Sequence, residues 1–95
     1  MSTVIGLLHL ELDVVQAMSL KDKRRAVKSF KTKLANEFNV SVAEVEGLES
    51  HRRCVLAVAM VGNDRIYIEG ALQKIVRLAQ MNRDMVLTAD EVEWL

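Results

Sequence analysis

Three groupings of side chains in the 95-residue chain could do chemistry. The first is cationic. Between Lys21 and Lys33 the chain sets Lys21, Lys23, Arg24, Arg25, Lys28, Lys31 and Lys33 against a single acid, Asp22. That segment carries +6, so the remainder, with six basic and twelve acidic residues, carries −6, although the whole balances at 13 against 13. At about 100° per residue on a helix, Lys21, Arg24, Arg25, Lys28 and Lys31 fall on one flank, spaced like a ridge that tracks phosphates. Acidic partners at i±4 are nearly absent, and like charges this close repel unless something neutralises them. Structured RNA or the ribosome is the favoured neutraliser, with Lys21, Lys23, Arg24, Arg25, Lys28 and Lys31 as phosphate contacts. The plainer reading is a solvated helix face whose long side chains lie along apolar neighbours. A third is an acidic protein surface, for which Glu44, Glu46, Asp90, Glu91 and Glu93 of another copy would serve. A phosphate on the N–H groups of the helix start is disfavoured, because Asp22 already occupies that positive end.

The second grouping, His9-x-Glu11-x-Asp13, puts three metal-ligand types on one face of a strand. Alternate residues of a strand stand about 7 Å apart, too far to share an ion without a further ligand. Cross-strand pairing of Glu11 or Asp13 with Arg53 accounts for them equally well. The third, His51 with Cys54, is a loose pair. Cys54 lies in the apolar run Cys54–Val61, where burial suppresses thiolate formation and argues against a nucleophile. There is no Gly-rich phosphate loop, no paired-cysteine zinc pattern and no nucleophile elbow. Acylphosphatases share this size class, but their Gly-rich anion loop is replaced here by Val15-Gln16-Ala17-Met18-Ser19. The residues therefore point to no enzyme activity, no cofactor, no metal and no small-molecule substrate.

The elements that must position these groups follow from periodicity. Residues 3–14 alternate, with Val4, Leu8, Leu10 and Leu12 on one side and Ile5, Leu7, His9, Glu11 and Asp13 on the other, as in a strand. Ser19 with Asp22 reads as a capping-box-like start, and Val27, Phe30, Leu34 and Phe38 form the apolar stripe of a helix ending near Asn39. A short strand over 40–46 and a longer one over 52–61 follow. A second helix is capped by Asn63 or Asp64 and carries the stripe Ile68, Ala71, Leu72, Ile75 and Ala79. A last strand, 85–95, changes parity around Ala89-Asp90-Glu91 and calls for a bulge. The order βαββαβ predicts one α+β domain over 1–95: a ferredoxin-like plait, with a four-stranded antiparallel sheet and both helices on one face.

Such a plait leaves the other sheet face bare. If Leu8, Leu10, Leu12, Cys54, Leu56, Val58 and Met60 face the helices, Ile5, Leu7, Val55, Ala57, Ala59 and Val61 form one apolar patch on the central strands. A patch of this kind is an expected interface, with a second copy in a homodimer or with another protein. Coverage by turn or terminal residues, or a small ligand, are the alternatives. Phe30, Phe38, Tyr67 and Trp94 are the aromatic residues, and none is on the first or third strand. RNA contact is thus expected from helix to backbone, salt-sensitive and poor in sequence specificity, rather than by stacking on the sheet.

Half the residues are hydrophobic, there is no proline, and no repeat or low-complexity stretch marks a linker. The longest apolar run is too short to cross a bilayer, and Met1-Ser2-Thr3-Val4 lacks the basic region of a signal peptide, so a reducing cytoplasm and no membrane association are expected. Gly6-Leu7-Leu8, Leu10-Glu11-Leu12 and Ser19-Leu20-Lys21-Asp22-Lys23-Arg24-Arg25 resemble the opening of the YlxP-like family of small bacterial proteins. Phe38-Asn39-Val40-Ser41-Val42-Ala43-Glu44-Val45, Asn63-Asp64 and the ending Glu91-Val92-Glu93-Trp94-Leu95 are similar too, while Gly62 stands where a serine is expected. The resemblance implies a ferredoxin-like fold and a bacterial cytoplasm, and supplies no activity, because the family is a domain of unknown function. Its genes often lie among those of transcription elongation, translation initiation and ribosome maturation, which is context for an RNA or ribosome role.

Overall fold

Strict alternation from Val4 to Asp13 makes β1, and in the computed structural model, which describes residues 2–95, Gly6, Leu8, Leu10 and Leu12 point inward. Met1, included in the expected domain, lies outside the described residues. The Ser19 hydroxyl accepts from the Asp22 N–H at 3.1 Å, and the Asp22 carboxylate accepts from the Met18 N–H at 3.1 Å. This reciprocal cap starts α1, Leu20–Glu37, which ends where Phe38 turns extended. After β2, Ser41–Glu46, and β3, Arg53–Gly62, the Asp64 carboxylate accepts from the N–H groups of Ile66 and Tyr67. Asp64 rather than Asn63 therefore caps α2, Arg65–Met81, before β4, Val86–Trp94, closes the sheet.

The strands lie in the order β2-β3-β1-β4, all antiparallel. β1 and β3 pair along their full length, from Val4↔Gly62 to Asp13↔Arg53. This is the expected plait. The core sits between sheet and helices, where Leu8, Leu10, Leu12, Leu56 and Val58 meet Val27, Phe30 and Leu34 of α1 and Ile68, Leu72 and Ile75 of α2. Burying a side chain of this size stabilises by roughly 1.5–3 kcal/mol, so this layer holds the helices on one face. Gly6 lets α2 settle close, since a Cβ there would stand 2.9 Å from Ile68 Cγ2 and Leu72 Cδ1.

Each outer strand carries an irregularity. On β4 the register slips between Glu11↔Ala89 and Leu12↔Leu87, so the extra residue is Thr88, one position before the expected stretch. Its hydroxyl donates to the Glu11 carbonyl at 3.1 Å. On β2 the register slips between Glu44 and Glu46. At the end of β4, Trp94 lies under the Arg65 guanidinium, 4.5 Å from the ring centroid. No helix among the described residues is long and apolar enough to cross a membrane.

Candidate nucleic-acid interface

The apolar stripe of α1 decides where its cations go. With Val27, Phe30 and Leu34 buried, Lys21, Arg24 and Lys28 stand exposed and Lys31 half-buried along one flank. Among the described residues, ion pairs join Lys23 to Glu44, Arg52 to Asp13, and Arg53 to Glu11 and Glu46; none involves that flank. Arg25, at the edge of the same arc, is exposed too. It lines a cleft of about 390 Å³ with Ala26, Ser29, Val14, Asp22 and Asp84, on the side of α1 that faces the β1–α1 and α2–β4 loops.

Lys23 corrects the expectation of a surface contact. Its side chain is 1% exposed, and its ammonium donates to the Glu44 carboxylate and to the Gly47 carbonyl, both at 2.5 Å. A buried ammonium is tolerated only when its charge is compensated and its protons are bonded, and these two acceptors do both. The same contact removes Glu44 from the carboxylates that another copy's helix could use. Gly47 can offer its carbonyl because the chain turns there with φ +81°, and a Cβ would meet the Arg53 carbonyl oxygen at 2.5 Å. Close by, Cys54 is buried as expected. Burial, with Glu44 beside it, pushes its thiol up from 9.0 to about 12, so it holds its proton and is no nucleophile.

The far face of the sheet carries the expected patch with one correction. Ile5, Leu7, Ala57 and Ala59 are half-buried and Val61 is 55% exposed, without any element across them. Val55 belongs to the same face but is 3% exposed. It pairs with Glu11 on one side and Glu46 on the other, and Arg53 binds both carboxylates, at 3.5 and 3.8 Å, so the arginine and its acids close over it. Glu11 is thereby engaged by Arg53, the pairing expected in place of a metal site, while Asp13 pairs with Arg52 rather than Arg53. Glu93 and Glu91 stand opposite Leu7 and His9, so the patch is bordered by negative charge. The cations of α1 therefore lie on the helix side, while the bare sheet carries Glu91 and Glu93 beside the Arg53-bridged Glu11 and Glu46.

One feature escaped the reading of motifs. Tyr67, outside the apolar stripe of α2, is 71% exposed and borders two clefts with Phe38, of about 480 and 340 Å³.

A family model described as "Protein of unknown function (DUF503)" matches residues 5–92. The Bacillus subtilis (strain 168) protein described as "Uncharacterized protein YlxP" is 30% identical over 91 residues, covering 96% of this chain and 99% of the relative. Among solved structures, the de novo designed protein Foldit4 superposes with a TM-score of 0.58 over 99% of this chain and 97% of its own. At 19% identity that likeness concerns the fold alone. With nearly its whole length matched by the family model and a relative alike from end to end, this chain belongs to the DUF503 family, the YlxP-like proteins.

Proposed function

We propose that the protein is a non-catalytic RNA- or ribosome-associated binding protein of the cytoplasm, whose first helix holds phosphates. Lys21, Arg24, Lys28 and Lys31 make the contacts, with Arg25 available at the edge of the same arc. One observation carries this reading: these cations reach solvent and none enters an ion pair among the described residues. The carboxylates of Glu91 and Glu93 beside the bare sheet face repel a polyanion, so the helix side is the side it would approach. Four or five phosphate contacts correspond to a slope of about −3 to −5 in log K against log salt on a duplex-like site. The test is a salt titration of Arg24→Glu with Lys28→Glu. The pair should weaken RNA binding and flatten the slope by about two units. Unchanged affinity and unchanged salt dependence would end the proposal.

A second reading rests on the uncovered patch of Ile5, Leu7, Ala57, Ala59 and Val61. On it, the protein is an interaction module that packs face to face as a homodimer, with the basic helix left to dock an acidic partner. Sedimentation at micromolar concentration tests this, and a strict monomer rules out self-packing. A protein partner recovered after ribonuclease treatment would favour this reading over the first.

A further inference from the structure

Tyr67, Gly70 and Lys74 follow one another at helical spacings of three and four, so they share one stripe of α2. All three line the same cleft of about 340 Å³, which Phe38 at the end of α1 closes from the other side. Tyr67 also borders the adjoining cleft, which holds Phe38 with the amides Asn39 and Asn63 and the carboxylates Glu37 and Asp64. Both volumes lie within the roughly 300–1,000 Å³ range of small-ligand sites.

Gly70 is the informative member. It lies in the interior of the 17-residue α2, where glycine is less favourable than alanine. No packing reason excuses it, because a Cβ at Gly70 would meet nothing within 4 Å. Glycine there leaves bare backbone beside an exposed aromatic ring, an arrangement that admits a flat group close to the helix. Lys74, one turn further, is exposed and lines the cleft together with Glu37, so the cleft carries no net positive charge and a flat group there is held by stacking rather than by charge. An aromatic platform, open backbone and flanking amides together match an unpaired base: stacking for its ring and hydrogen bonding for its edge.

We infer that the Phe38–Tyr67 cleft holds one unpaired base of a loop, bulge or end in the RNA whose backbone α1 grips, stacked on Tyr67 over Gly70. This rests on the proposed RNA-binding function and adds to it the part of the RNA that is read. Binding by α1 alone would be indifferent to bases, whereas this cleft makes the protein favour strands with bases turned out over fully paired ones.

The test compares a short single-stranded oligoadenylate with an abasic oligomer of the same length, by fluorescence anisotropy at low salt. The wild-type protein should bind the oligoadenylate more tightly than the abasic strand. Tyr67→Ala should weaken the oligoadenylate roughly 5- to 150-fold and leave the abasic strand unchanged, and Tyr67→Phe should retain binding. Gly70→Leu should obstruct the same step, while Gly70→Ala raises the thermal midpoint. Because Tyr67 is exposed, its variants keep the fold, and their melting curves check this. Equal affinity of wild type and Tyr67→Ala for both strands overturns the inference, and leaves the proposed function standing if Arg24→Glu with Lys28→Glu still weakens both. Failure of the wild type to bind either strand overturns the inference, and the salt titration on structured RNA decides the proposed function separately. Loss of a ribonuclease-resistant protein partner in Tyr67→Ala, with oligonucleotide affinity unchanged, overturns it in favour of protein docking.

Discussion

Replacing Glu44 by Gln would keep the side chain's shape and one acceptor, and would strip the carboxylate from an ammonium that is 1% exposed. Removing one partner of a buried pair costs about 3–5 kcal/mol, since the remaining charge stays desolvated. Glu44 keeps 16% of its side-chain exposure, so water can repay part of the loss and the lower figure, about 3 kcal/mol, applies. In a domain of this length each kcal/mol moves the thermal midpoint by roughly 4–8 °C, which makes the expected drop about 12–24 °C. Urea unfolding followed by circular dichroism gives the free energy directly. Lys28→Gln, on the open flank of α1, serves as the control and should stay within about 0.5 kcal/mol of wild type. The double variant Lys23→Met with Glu44→Leu should recover most of the loss, because a well-packed apolar pair replaces a buried ionic one at little cost. If Glu44→Gln proves as stable as the control, Lys23 is not a buried, compensated charge and the account of α1 fails.

Gly47→Ala forces a Cβ against the Arg53 carbonyl oxygen at φ +81° and should cost about 1–3 kcal/mol, read as a lower urea midpoint. A neutral result would mean that the turn relaxes freely and that the Lys23 acceptor is not held in place. Cys54 should resist iodoacetamide until the protein unfolds; ready labelling of the folded chain at neutral pH would contradict its burial. Its thiol also sets a pH dependence. The folded protein keeps the proton up to about 12 while the unfolded chain releases it near 9.0, so this contribution is intact below 9.0 and is lost as pH rises towards 12. A Cys54→Ala variant should show a flatter decline over that window.

Most of the architecture could be read from alternation and helical spacing, because each element buries one face and advertises the fact. Leu8, Leu10 and Leu12 with Leu56 and Val58 are inward as their parity requires. The candidate site was less legible. Lys23 continues the stripe of Val27, Phe30 and Leu34 one turn earlier, so its spacing pointed inward while its charge suggested a surface. Its partner lies 21 residues away on another element, and no local pattern announces a long-range neutraliser. Val55 failed for a related reason: its face was read correctly, but the arginine bridge that covers it depends on strand register and on the slip in β2. Tyr67 and Gly70 gained meaning only when the end of α1 was found beside the start of α2.

The irregular outer strands have a consequence for life at cellular concentration. Growth of a sheet by adding a stranger's strand needs a straight run of unpaired N–H and C=O groups at regular intervals. Thr88 interrupts that run on β4, the slip near Val45 interrupts it on β2, and the carboxylates of Glu46, Asp90, Glu91 and Glu93 ring both margins. Both borders are therefore poor templates for a further strand, which disfavours growth of ribbons through them.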